Sequence, residues 1–185
     1  MRFMVKDTII GDLARFAAEQ QQRFDATTLP RERKERGHFG TPIAVAEFMA
    51  EMFSEVPQGT VRILDPGAGV GTLSAAVCQR VLRLKAPRRL EIELWETDPK
   101  LVPHLRRTMD HCRKSLIECG HRLDYTVCID DFILANTEKT LFKDGPAPSF
   151  HLAILNPPYF KLRKESAHAK ALEHDVHGQP NIYAF

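Results

Sequence analysis

From Val61 onward, short apolar runs alternate with longer amphipathic segments. No other feature limits the possible folds of this chain so strongly. Val61-Arg62-Ile63-Leu64-Asp65 reads as a strand, and Thr72 to about Leu84 as a helix. Leu90 to Trp95 is a second strand, followed by a helix over 99–119 that Gly120 stops. Pro103 sits too deep for the first turn of a helix starting at 99, so regular helix is expected from near Val102. Tyr125 to Ile129 is a third strand. A proline-containing loop, Lys143 to Ser149, leads to a fourth, Phe150 to Leu155. Such alternation calls for a parallel sheet with helices on both faces, an α/β fold. Right-handed crossovers then favour the Rossmann-like strand order 3-2-1-4.

The fourth run ends abruptly in Asn156-Pro157-Pro158-Tyr159. Prolines donate no hydrogen bond and fix φ, so the strand must stop there. Asn156 and Tyr159 are thereby held on a stiff turn at the carboxyl end of a strand, where open α/β sheets place their ligands.

The first strand runs into a glycine loop, Asp65-Pro66-Gly67-Ala68-Gly69-Val70-Gly71. Its spacing is G-x-G-x-G rather than the dinucleotide G-x-G-x-x-G. Glu96 lies just past the second strand, where a carboxylate can accept hydrogen bonds from both ribose hydroxyls of a nucleoside. Asp65 puts a negative charge beside the glycine loop. That charge repels pyrophosphate and suits a cationic sulfonium or ammonium group, which favours S-adenosylmethionine over NAD. After the third strand, Asp131 can accept from an adenine amino group and Phe132 can lie against its ring. The plainer readings, a loop cap and a core residue, stand beside these.

Ahead of the alternating region, Ile9, Leu13, Phe16 and Ala17 recur at helical spacing within residues 1–24. Residues 25–37 are polar and include Arg31-Glu32-Arg33-Lys34-Glu35-Arg36, read as a solvated linker, with a phosphate-contacting arm as the alternative. Residues 1–36 thus form an N-terminal helix and charged linker, and the main domain is expected over 37–185. Gly37-His38-Phe39-Gly40-Thr41-Pro42 opens it. Thr41 is expected to cap a helix with Pro42 at its first position. Ile43, Ala46, Phe48, Met49, Met52 and Phe53 supply that helix's apolar face.

A formal net charge of +2 gives no bulk attraction to nucleic acid. No apolar run approaches the ~20 residues of a membrane span. The cysteines, Cys78, Cys112, Cys119 and Cys128, form no C-x-x-C pair, which speaks against zinc and against a disulfide framework. A reducing cytoplasm is the simplest compartment.

Taken in order, the Thr-Pro segment, the glycine loop, Glu96-Thr97-Asp98, Asp131-Phe132 and Asn156-Pro157-Pro158-Tyr159 resemble the S-adenosylmethionine-dependent DNA N6-adenine methyltransferases of restriction-modification systems, in the gamma motif order. The resemblance covers about residue 37 to the end and implies a class I methyltransferase fold. It implies that Thr41 helps hold the methionine end of the cofactor. Asp65, Gly67, Ala68, Gly69 and Gly71 would shape the amino-acid pocket. Glu96, with Thr97 beside it, would bind the ribose, and Asp131 and Phe132 the adenine. Asp130 precedes Asp131, so either could meet the adenine; Asp131 is favoured because Phe132 follows it directly. Asn156, Pro157, Pro158 and Tyr159 would be catalytic, acting on an adenine flipped out of double-stranded DNA. No metal and no membrane enter this picture.

Asn-Pro-Pro-Tyr also occurs in methyltransferases of protein glutamine and of RNA. It therefore identifies the nucleophile better than the substrate. A module that binds the cofactor without chemistry, within a defence complex, is a further alternative. Only 26 residues follow Tyr159, among them Lys161-Leu162-Arg163-Lys164 and Asn181-Ile182-Tyr183-Ala184-Phe185. The family has further strands and a target-recognition region there. The expectation is a catalytic fragment truncated after its fourth strand, lacking the part that reads DNA sequence.

Overall fold

The computed structural model describes residues 13–35, 40–53, 56–84, 88–140, 149–157 and 166–171. Four strands form one parallel sheet: β1 (Gly59–Asp65), β2 (Arg88–Trp95), β3 (Arg122–Cys128) and β4 (Leu152–Ala153). Their order is β3-β2-β1-β4, the Rossmann-like arrangement expected from the sequence. Helices flank the sheet: α1 (Leu13–Thr27), α2 (Pro30–Glu35), α3 (Ile43–Glu51), α4 (Thr72–Leu82), α5 (Val102–Glu118), α6 (Phe132–Thr140) and α7 (Ala167–Ala171).

The core lies between the sheet and α4 and α5. Val61, Ile63, Leu90, Ile92, Leu94, Leu123 and Ile154 from the sheet side meet Val77, Val81, Leu105, Met109 and Leu116. Both crossovers, β1-α4-β2 and β2-α5-β3, step in the same direction, so right-handedness puts both helices on one face. α1 then packs across α3, α4 and α5. Leu13 and Ala17 meet Ala46 and Ala50 in the same apolar cluster, the small side chains allowing close approach. Polar bonds fasten the same junction. The Ala14 N–H donates to Gln79 Oε1 at 3.1 Å, and Gln79 Nε2 donates to Glu47 Oε1 at 2.7 Å. At its far end α1 seats Phe24 against Val70 of the glycine loop and Leu101.

Several boundaries differ from the sequence expectation. Pro30 to Glu35 is a short helix where a linker was expected; Pro30 starts it with a φ already suited to helix. α3 begins at Ile43, because Pro42 has an extended ψ of 142° and serves as the N-cap without a side-chain bond. Thr41 therefore does not cap this helix. The Pro42 carbonyl accepts the Val45 and Ala46 N–H groups, both at 3.0 Å. α5 starts at Val102 as Pro103 requires, and Gly120 follows it with φ +81°. β2 and β3 begin earlier than the apolar runs alone indicate. β4 is reduced to two residues. No helix of the described residues is long and apolar enough to cross a membrane, and no group of three or more His, Cys, Asp or Glu among them could hold a metal ion.

Candidate functional site

The register fixes where the site opens. β1 pairs with β4 in parallel through Ile63↔Leu152 and Leu64↔Ala153. The Ile154 N–H extends the ladder to the Leu64 carbonyl at 2.9 Å. Asp65 and Asn156 thus leave the same, carboxyl, end of two neighbouring strands. The glycine loop and the amide-proline turn share one rim of the sheet, at the point where strand order reverses, which is where open α/β sheets form their crevice.

One hydrogen bond ties the glycine loop to the end of β2, and a second closes the loop on itself. The Ala68 N–H donates to the Trp95 carbonyl at 2.9 Å, and the Gly71 N–H turns back to the Ala68 carbonyl at 2.7 Å. Gly69 and Gly71 hold φ of +55° and +86°, in the region that disfavours other residues. At Gly71 space also decides: an added Cβ would lie 2.9 Å from Leu105 Cδ1 and 3.3 Å from Thr108 Cγ2. Gly67 is exposed and Ala68 buried.

Glu96 is the keystone of this end. Its carboxylate is buried, 7% exposed. Oε2 accepts the Gly69 N–H at 2.9 Å and Oε1 the Asp98 N–H at 2.8 Å. One side chain therefore orients both the glycine loop and the turn after β2. Thr97 is exposed between them, whereas Asp98 is buried and accepts the Lys100 N–H at 2.9 Å through Oδ1.

Asp65 is fully buried. Its Oδ2 accepts the Ser74 hydroxyl at 2.6 Å, from the first turn of α4, while Oδ1 has no partner. Burial pushes its carboxyl up to about 7; the Glu96 charge adds to this and the Ser74 hydroxyl opposes it. A buried acid that holds its proton until about 7 gives it up when positive charge arrives beside it, so with one oxygen unsatisfied it fits a site that receives a cation.

At the third strand, Asp131 caps α6. Oδ1 accepts the Leu134 N–H at 3.0 Å, and the Asp131 N–H donates to Asp130 Oδ1 at 2.8 Å. Oδ2 of Asp131 lies 2.7 Å from Nε2 of His168. The cap reading is thus realised in the structure. Its carboxylate also faces a residue from beyond the Asn-Pro-Pro turn. Phe132 is half-buried and meets Trp95 edge-on, with ring centroids 5.4 Å apart at 79°.

At the fourth strand, Asn156 and Pro157 are half-buried. Asn156 Nδ2 donates to the Thr41 hydroxyl at 3.2 Å, joining segments 115 residues apart. Thr41, displaced from its capping role, thus becomes a neighbour of the amide turn. Pro158 and Tyr159 lie outside the described residues, as do Gly37, His38, Phe39, the Lys161 to Lys164 run and the terminal segment 172–185.

The structure brings Asp65, Gly69 and Glu96 together at one end and Thr41 with Asn156 at the other. Sequence reasoning missed Ser74 and His168, and gave Asp98 no role beyond its place in the Glu96-Thr97-Asp98 motif. Ser74 had a signal, a hydroxyl in the first turn behind a buried acid. His168 had none, since its partner is 37 residues away.

No protein-family model matches the chain. It is 32% identical over 170 residues to the type II methyltransferase M.BsuBI of Bacillus subtilis, covering 89% of this chain and 32% of that protein. It is likewise 32% identical over 152 residues to the type II methyltransferase M.PstI of Providencia stuartii, covering 82% of this chain and 29% of that protein. The chain thus spans about a third of the length of the curated relatives it matches.

Proposed function

We propose that this chain carries the cofactor-binding and catalytic part of a DNA adenine-N6 methyltransferase of restriction-modification type, using S-adenosylmethionine. The observation that carries the reading is the common rim: the buried-acid glycine loop and the Asn156 turn open at the same end of adjacent strands. Similarity to two type II methyltransferases over most of the chain supports it.

The residues present fit such a cofactor. The unsatisfied Oδ1 of Asp65 suits a ligand bearing positive charge. Glu96, fixed by two backbone N–H groups, suits the ribose hydroxyls. Asp131 and Phe132 stand at the adenine end, and Thr41 at the methionine end. When bound, S-adenosylmethionine supplies a methyl carbon on a positively charged sulfur.

The chain's own task is then to present an amine. The exocyclic amine of adenine is a weak nucleophile because its lone pair is delocalised into the ring. Two acceptors aimed at its hydrogens, the Asn156 side-chain oxygen and the Pro157 carbonyl, draw the nitrogen towards a tetrahedral shape. Pro158 restricts the backbone of Pro157 and so the direction of that carbonyl. Tyr159 offers a stacking face for the flipped base. No carboxylate base is required, since the proton can leave once the nitrogen is cationic. Positioning supplies much of the rate.

The test is to incubate the full-length protein with methyl-labelled S-adenosylmethionine and duplex DNA, digest the DNA, and identify the labelled base. N6-methyladenine is expected, and the Asn156→Ala protein should yield none while still binding cofactor. Label on cytosine, no label on the DNA, or full activity without Asn156 refutes the assignment.

A further inference from the structure

The contact between Asp131 and His168 joins two segments that lie on either side of the Asn156 turn in sequence. His168 Nε2 approaches Asp131 Oδ2 at 2.7 Å, with side chains 28% and 27% exposed. The opposite oxygen, Oδ1, already accepts the Leu134 N–H. With both oxygens engaged, the carboxylate cannot swing about its last bond without losing one hydrogen bond. The backbone that carries the ring is itself held in place. Ser166 accepts the Ala169 N–H on its hydroxyl at 3.2 Å and the Lys170 N–H on its carbonyl at 3.1 Å, forming the turn that carries His168. Ala169 is buried, and α7 packs on α6.

We propose that His168 is a positioning residue for Asp131: it fixes the carboxylate that receives the exocyclic amine of the cofactor's adenine, and so makes segment 166–171 a wall of the cofactor site. This rests on the adenine role given to Asp131 above. The cap bond orients Oδ1 from inside the domain, and the imidazole orients Oδ2 from the segment that follows the catalytic turn. Discrimination between adenine and a purine without the amine then depends on a residue that touches neither.

Calorimetry on the full-length protein tests this with two ligands, S-adenosylhomocysteine and its inosine counterpart, in which a carbonyl oxygen replaces the amine. The wild type should prefer the adenosine compound. In His168→Ala that preference should fall by about tenfold, the worth of one hydrogen bond to a charged group. His168→Gln, which keeps an N–H donor, should restore it to within about threefold. A merely structural role would weaken both ligands alike and leave the ratio unchanged, and an unchanged ratio overturns the proposal. Tighter binding of S-adenosylhomocysteine by His168→Ala overturns it too, because the ring would then be occupying the adenine's place. Thermal unfolding of both variants verifies that they fold. A wild type that binds neither ligand fails the cofactor reading itself. One that binds both equally fails only the role of Asp131 and, with it, of His168.

Discussion

The two ends of the crevice are built to different standards. At the glycine-loop end, β1 and β2 pair over seven residues, and buried carboxylates at Asp65 and Glu96 are tied to Ser74, Gly69 and Asp98. At the amide-turn end, β4 pairs over two residues, and half-buried Asn156 donates to Thr41 as one of its contacts. The first end is prepared before any ligand arrives. The second presents its groups on a short strand that, among the described residues, ends the sheet. A small molecule that must be gripped in one pose suits the former. A substrate that brings much of its own binding surface suits the latter.

Asp65 should show the contrast most strongly. The unfolded chain releases this proton near 3.8 and the folded protein holds it until about 7. The folded state therefore binds more protons between those values, and stability falls as pH rises through that window, then levels off. Asp65 contributes a loss of up to about 4 kcal/mol across it, at 1.36 kcal/mol per pH unit. Urea unfolding of wild type and Asp65→Asn at a series of pH values should show the two diverging from about pH 4 to 7 and running parallel above. Parallel curves throughout would mean that the acid is not held neutral. Ligand binding that carries positive charge to Asp65 should release a proton at pH 6 and none at pH 9.

Glu96→Ala comes next. It leaves the Gly69 and Asp98 N–H groups without their acceptor and should cost about 2–3 kcal/mol of stability, together with most of the cofactor affinity. Glu96→Gln should recover part of the stability, because its amide oxygen can still accept one of the two bonds. Smallest is the opposite end. Asn156→Ala and Thr41→Val should each cost about 1 kcal/mol or less, measured as shifts in thermal midpoint. If Asn156→Ala destabilised as much as Glu96→Ala, the two ends would not differ in rigidity as claimed.

Much of this was legible in the residues, for stated reasons. The parallel sheet follows from alternation, a local property, and right-handed crossovers favour the strand order found. The glycine loop is legible because only glycine tolerates the backbone at Gly69 and Gly71. What escaped depends on partners distant in sequence. Thr41 looked like a cap because a hydroxyl before proline usually is one; its actual neighbour is 115 residues on. Helix α6 follows Asp131 directly, and its cap was read only as an alternative use of that acid. The β4 run looked like six residues of strand, yet its ladder is short. Part of what a backbone would supply there comes from a side chain: the Arg62 N–H donates to Nδ1 of His151 at 2.9 Å, beside the His151 N–H bond to the Arg62 carbonyl.

That imidazole rung has a consequence for the strand bearing Asn156. Nδ1 receives the Arg62 N–H as an acceptor, a place that a backbone carbonyl would fill in a longer ladder. A side chain without an acceptor at that place would leave the Arg62 N–H unpaired at the strand's entry. The hold on the amide turn is therefore a two-point clasp, one point backbone and the other the side chain of the same residue.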